Sequence, residues 1–186
     1  VLEAVIAFAQ RYSSLARDMA QKESDYQRRK ELEEIAEICH LVPANPARTF
    51  REAIQSFWFI HLVEQIAHTG VGFSPGRLAQ YMYPFYKKDK DEGRLTEEEA
   101  IELLELLFIR LTSITYLIPA TYFRGFQGNL FQNLSIGGVN PDGTDATNEL
   151  DFLVLEAQRR VRMMQPTITL LFHNTLSEQF MLKVAE

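Results

Sequence analysis

Residues 129–140 read NLFQNLSIGGVN, a mostly apolar run with turn residues at both ends. Its alternation is poor, which predicts a strand covered on both faces. Asp142 and Gly143 then predict a turn. Residues 146–163 carry Leu150, Leu153, Val154, Ala157 and Val161 at helical spacing, and Pro166 stops that helix. A second β-rich run follows at 167–172, Thr-Ile-Thr-Leu-Leu-Phe. Strand, helix and strand in this order predict a βαβ unit with parallel strands and a right-handed crossover. Two parallel strands need neighbours and helices on both faces. The rest of the chain offers helices but few strands, so the sheet is expected to be completed by residues outside these 186.

That length suffices for one good-sized domain with a sizeable core. Apolar residues make up 46% and charged residues 24%, as in ordinary soluble globular proteins. A net charge of −6 argues against nucleic acid as a partner. No apolar run approaches a membrane span. The start, VLEAVIAFAQRYSS, lacks a basic leader and reads as an amphipathic helix, which argues against a signal peptide. Cys39 is the single cysteine, so no intrachain disulfide framework exists and a reducing compartment is expected. Val1 in place of Met, and a helical pattern at 177–186 with no stop signal, lead us to expect an internal piece of a longer polypeptide.

Residues 2–22 place Val5, Ala9, Tyr12, Leu15, Ala16 and Met19 on one helical face. Ser24 or Asp25 caps a second helix with Leu32, Ile35, Ala36 and Cys39 as its stripe, and Pro43 and Pro46 end it. Thr49 and Glu52 form a capping box for a helix to about His68, apolar nearly all round and therefore buried. A glycine-punctuated loop, TGVGFSPGR, follows at 69–77. Residues 80–85 are aromatic-rich, 87–94 read as a charged surface turn, and Thr96 with Glu99 is a second capping box, for a helix to about Thr115. Residues 118–128 read as an aromatic loop.

Candidate chemistry is sparse. Cys39 sits at helical spacing among apolar residues with no base placed beside it, so it reads as core. Glu37-x-x-His40 and His61-x-x-Glu64 invite a di-iron reading, but that site needs Glu-x-x-His on two helices, and one of these is reversed. Gly70-x-Gly72-x-x-x-Gly76 misses the dinucleotide spacing, follows a helix and lacks a P-loop lysine. Its glycines read better as backbone freedom or close approach, in a loop that is still a reasonable ligand position. Tyr81, Tyr83, Phe85 and Tyr86 read as core packing ahead of ligand stacking.

Several stretches together resemble one family: VPANPARTFREAIQSFWFIHL at 42–62, SPGRLAQYMYPFYKKD at 74–89, GRLTEEEA at 93–100, FQNLSIGGVNPDGTDATNELDFLVLEA at 131–157 and QPTITLLFH at 165–173. They are similar, in order and over nearly the whole chain, to the glycyl radical enzymes of the pyruvate formate-lyase superfamily, closest to the dehydratase, decarboxylase and lyase branch. The resemblance implies an α/β fold, part of a ten-stranded β/α barrel, with residues 1–117 mainly helical and 118–186 forming the βαβ unit. It implies a homodimer, an anaerobic cytoplasmic setting and a radical-SAM activating enzyme as partner. No bound cofactor is implied for this segment. In the family a glycine near the C-terminus stores the radical and a cysteine in a Gly-Cys-x-Glu loop takes hydrogen from substrate. Neither motif matches any segment here, and Cys39 does not fit that loop, so the piece alone is expected to be inactive.

Diol-dehydrating members carry a His-Ser pair where Val71 and Gly72 stand, and an Arg where Leu171 stands. Both departures remove hydrogen-bond donors. The resemblance therefore points to a more apolar substrate, such as an arylacetate undergoing decarboxylation or an aromatic hydrocarbon added to fumarate. A diol or polyol dehydratase, or a non-catalytic helical scaffold, are the alternatives. By the same matching, Val71, Gly72 and Ser74 from the glycine loop, with Phe131 and Gln132 from the strand, are the expected substrate neighbours. Arg77 is expected to bind carbonyls or an ion-pair partner rather than to catalyse.

Overall fold

The computed structural model describes residues 2–67, 72–114 and 130–186. Their chain packs as two units, residues 1–64 and 65–186.

The first unit is helical: α1 (Leu2–Lys22), α2 (Tyr26–Leu41) and most of α3 (Phe50–Ala67). Asp25 caps α2 by accepting the Arg28 N–H at 2.7 Å. Helices α1 and α2 pack along each other through a narrow face of small residues, Ala9, Ser13, Ala16 and Ala20, with Val5 at one end. The Ser13 hydroxyl donates to the Ala36 carbonyl at 2.7 Å, which satisfies it inside the contact. This corrects the sequence reading of α1. Tyr12, Leu15 and Met19 lie outside the buried face and are exposed. Cys39 packs with Val5, Ala9 and Phe59, and the Phe8 ring meets Phe59 edge-on. At the start of α3 the capping box is shifted by one residue. Thr49 Oγ1 accepts the Glu52 N–H, but the Glu52 carboxylate takes the N–H of Arg48 and pairs with its guanidinium. Burial works to raise that carboxyl, and the Arg48 bonds outweigh it, leaving it below the usual range.

The second unit holds α4 (Leu78–Asp91), α5 (Glu97–Ser113), β1 (Asn133–Gly137), α6 (Glu149–Val161), β2 (Thr167–Leu171) and α7 (Glu178–Ala185). Strand, helix and strand form as the sequence predicts. β1 and β2 pair in parallel, with Asn133 opposite Thr167 and Gly137 opposite Leu171. Helix α6 begins three residues later than its apolar pattern suggests, because Asn148 and Asp151 make a capping box. It ends at Arg162, in the left-handed region at φ 50°.

One expectation fails here. Residues 78–91 are one helix, so no charged turn forms at 87–91. Pro84 sits inside that helix, where its missing N–H leaves one main-chain bond of the helix unmade. Of the four aromatics only Tyr86 is fully buried; Tyr81 is 44% exposed and donates its hydroxyl proton to the Pro75 carbonyl at 2.9 Å. In β1, Leu134 and Ile136 are buried, with α4 packed on the strand, while Asn133 and Ser135 alternate with them on the other face and are only partly covered by residues of this chain. The predicted aromatic loop at 118–128 lies outside the described residues.

A buried amide pair ties the strand starts to α5. The Gln132 N–H donates to Gln165 Oε1 at 2.9 Å, and Gln132 Nε2 donates to the Leu111 carbonyl at 2.8 Å. The Thr167 N–H donates to the Gln132 carbonyl, and Thr112 Oγ1 donates to the Gln165 carbonyl. On the surface, Arg160 bridges Glu98 of α5 and Glu156 of its own helix.

Two outcomes are expected. Gln132→Leu leaves the Leu111 carbonyl and the helix end without this donor, and should lower stability by about 1–3 kcal/mol. Urea unfolding checks it; a change below ~0.5 kcal/mol would contradict the clamp. Arg159 and Arg160 pull the Glu156 carboxyl from its ordinary 4.5 down to about 2. A depressed carboxyl contributes stability fully above its unfolded value, and that contribution is lost as pH falls from about 4.5 toward 2. Carboxyl-carbon NMR titration should therefore show Glu156 charged at pH 3.5, and a midpoint near 4.5 would refute the pairing.

Candidate functional site

Residues 72–76 give β1 a partner on the edge that β2 leaves open. The Gly72 N–H donates to the Leu130 carbonyl at 2.8 Å, and the Gly76 N–H to the Asn133 carbonyl at 3.2 Å. The Ser135 N–H donates to the Gly76 carbonyl at 2.8 Å, and Gly76 forms a parallel bridge with Leu134. Gly72 and Gly76 take φ values of 89° and 63°, which side chains rarely allow. Of the two roles the sequence suggested, these glycines serve unusual backbone angles: a Cβ at either would meet no atom within 4 Å.

Ser74 completes this pairing with its side chain. Its hydroxyl oxygen accepts the Asn133 N–H at 2.9 Å and lies 3.1 Å from the Gly72 carbonyl and 3.3 Å from that of Phe131. One hydroxyl proton serves only one carbonyl at a time. Phe131 sits at φ 51°, an uncommon state for an aromatic residue, and is 53% exposed. The structure thus brings Gly72, Ser74 and Phe131 to one corner of the sheet. Gln132 is adjacent in sequence, but it is buried and directs its amide nitrogen to α5. Val71 lies outside the described residues.

At the other end of β1, Arg77 binds carbonyls, as expected. Its Nη2 donates to the Gly137 carbonyl at 3.2 Å and its Nη1 to the Val139 carbonyl at 3.3 Å. Gly138, at φ 88°, is pressed by Leu171: a Cβ there would lie 3.1 Å from Leu171 Cδ1 and 3.2 Å from the guanidinium. Asp151 accepts the Gly137 N–H at 3.2 Å and the Asn148 N–H at 2.9 Å. Burial raises the Asp151 carboxyl, partly offset by those two donors and the Arg77 charge.

Sequence reasoning missed two groupings. His173, just past β2, sets its Nε2 3.3 Å from Asp145 Oδ1 and its Nδ1 2.9 Å from Thr175 Oγ1, linking the chain after β2 to the loop after β1. Burial works to raise the Asp145 carboxyl, but bonds from Thr147 and His173 win and lower it. Nothing in the linear sequence pairs Asp145 with His173. The second grouping is a row of hydroxyls and an amide on one face of the strands: Asn133, Ser135, Thr167 and Thr169. Thr169 Oγ1 donates to Asn133 Oδ1 at 2.7 Å. The Thr-x-Thr alternation was its visible signal.

Burial pushes the Cys39 thiol up to about 11, so it stays protonated near neutral pH and is a poor nucleophile. Among the described residues no group of three His, Cys, Asp or Glu is placed to hold a metal. His40 bonds Gln10, and His61 is buried against Phe57. No described helix is long and apolar enough to cross a membrane.

The family model for pyruvate formate lyase-like proteins matches residues 1–186. Isethionate sulfite-lyase of Nitratidesulfovibrio vulgaris is 40% identical over 191 residues, covering 100% of this chain and 23% of that protein. The 4-hydroxyphenylacetate decarboxylase glycyl radical subunit of Clostridioides difficile is 38% identical, with 100% of this chain and 21% of the relative covered. A solved structure described for 1,2-propanediol dehydration in Roseburia inulinivorans superposes with a TM-score of 0.95 at 43% identity, over 98% of this chain and 23% of that one. The chain thus spans less than a quarter of the length of these relatives. Matched along its whole length, the chain belongs to the pyruvate formate lyase-like family, the family of the glycyl radical enzymes.

Proposed function

We propose that residues 1–186 form a pocket-bearing part of a glycyl radical lyase that acts on a small organic substrate by hydrogen-atom abstraction. The observation that carries this reading is the gathering of Gly72, Ser74 and Phe131 at one corner of a parallel sheet, in a chain of this family. The parent would be a ten-stranded β/α barrel of two parallel half-barrels, homodimeric and cytoplasmic, with a radical-SAM activating enzyme as its partner. The hydrogen-abstracting cysteine and the radical glycine would lie outside residues 1–186. The residues of this chain would shape and orient: the 72–76 pairing sets the sheet edge, and Phe131 offers an apolar surface beside it. Val71, Gly72, Ser74 and Phe131 remain the proposed substrate neighbours, with the buried Gln132 behind them as a positioning residue.

An apolar or aromatic substrate, decarboxylated or joined at carbon, is supported by the exposed Phe131 ring and by the apolar Leu171 beside Gly138. A second reading, dehydration of a diol or polyol, is favoured by the hydroxyl row on the strands.

Anaerobic activation of the full-length parent by its activating enzyme should yield a glycyl-radical EPR signal, and absence of any radical under conditions that activate a relative would favour the non-catalytic scaffold. With an arylacetate as substrate, Phe131→Ala should raise KM about tenfold with little change in radical yield, the loss expected for one aromatic contact. Turnover of propane-1,2-diol with no arylacetate turnover would replace the first reading by the second.

A further inference from the structure

Strands of parallel sheets are ordinarily apolar on both faces, because helices cover both. Here the two faces differ. One carries Leu134, Ile136, Ile168 and Leu170, with the β1 residues fully buried. The other carries Asn133 and Ser135 from β1 and Thr167 and Thr169 from β2, placed side by side by the parallel register. All four are uncharged hydrogen-bonding groups. Thr169 and Asn133 bond to each other at 2.7 Å, which orients the Asn133 amide. The Asn133 side-chain nitrogen and the Ser135 and Thr167 hydroxyls have no hydrogen-bond partner among the described residues. The row is also continuous with the candidate site, since the Asn133 N–H is held by Ser74, whose hydroxyl faces the Phe131 carbonyl.

From this we infer that the Asn133–Ser135–Thr167–Thr169 face is a hydrogen-bonding subsite for a hydroxyl or carboxyl oxygen of the substrate, with Thr169 and Ser135 determining specificity. The inference rests on the proposed reading of the chain as a substrate-pocket segment and narrows it. A substrate with an apolar body against Phe131 and an oxygen on the strand row fits, and a bare hydrocarbon does not. Neutral donors and acceptors suit an oxygen better than an ammonium group. Buried behind substrate, such groups would discriminate strongly, because a ligand lacking the oxygen leaves them unpaired.

The test uses the full-length parent before activation and three probes: propane-1,2-diol, phenylacetate and toluene, with binding followed by calorimetry. Thr169→Val keeps the shape and β-propensity of threonine and removes the hydroxyl. Ser135→Ala is the second variant, in case the first disturbs the strand. Each should weaken the better-binding oxygenated probe about tenfold and leave toluene unaffected. The inference is overturned if oxygenated probes bind both variants as they bind the parent, if toluene alone binds the parent, or if no oxygenated probe binds it. Loss of folding with unchanged probe affinity in the folded fraction would assign the row to a covering protein segment and also overturn it. Radical yield by EPR is measured in parallel. A radical with unchanged probe binding sinks the subsite alone, whereas no radical sinks the enzyme reading beneath it.

Discussion

The main-chain groups along both edges of β1 need partners, and most of this half of the chain is arranged to supply them. A strand with an open edge exposes donors and acceptors that are costly to bury unpaired. β2 serves one edge in parallel register. The other is met by residues 72–76, which are too glycine-rich and too short to form a strand of their own. Their pairing brings a loop from before α4 against a strand roughly sixty residues later, and it is this contact that sets Ser74 beside Phe131. The same pairing leads directly into Arg77, whose guanidinium holds the carbonyls at the far end of β1. One stretch of six residues therefore fixes both ends of the central strand.

Polar side chains do the joining that a larger sheet would do by main chain. Gln132 and Gln165 are buried and bridge the two strand starts to the last turn of α5. Asp151 caps α6 and takes the N–H of Gly137, so one carboxylate serves a helix start and a strand end. Such groups are favourable only when every partner is in place. They make the geometry of both strand ends specific, and the carboxyl end, held by Asp151 and Arg77, is where ligands of parallel α/β sheets commonly sit. The tight contact of Leu171 on Gly138 adds a steric constraint at the same end.

The candidate site is mixed in character for a physical reason. Its apolar component, Phe131, comes from a turn into the strand and is displayed by an uncommon backbone angle. Its polar component comes from alternate residues within the strands, displayed by the pleat. The two arise from different local rules and meet only because β1 carries both. Family membership places the chain among the pyruvate formate lyase-like proteins. The side chains on this sheet bear on the choice among the chemistries for which relatives are named, including sulfite elimination, decarboxylation and diol dehydration.

Much of this was legible in the sequence, for reasons that lie in short-range physics. Helical spacing gave α1, α2, α5 and α6, and the boxes at Thr96–Glu99 and the cap at Asp25 were readable because a cap is a contact between residues two or three apart. The βαβ order, the glycines of unusual backbone angle and the carbonyl-binding Arg77 were readable as well. What failed was whatever depended on a partner distant in sequence. Residues 87–91 looked like a turn because a charge run is plain locally, whereas the packing that carries α4 through it is not. Tyr12, Leu15 and Met19 looked like core because spacing defines a face but not which face meets α2. The polarity of the β1 face, the His173–Asp145 link and the meeting of Ser74 with Phe131 were decided by tertiary structure alone. Hydrogen bonds spanning 28 to 59 residues leave no periodic trace in the chain that makes them.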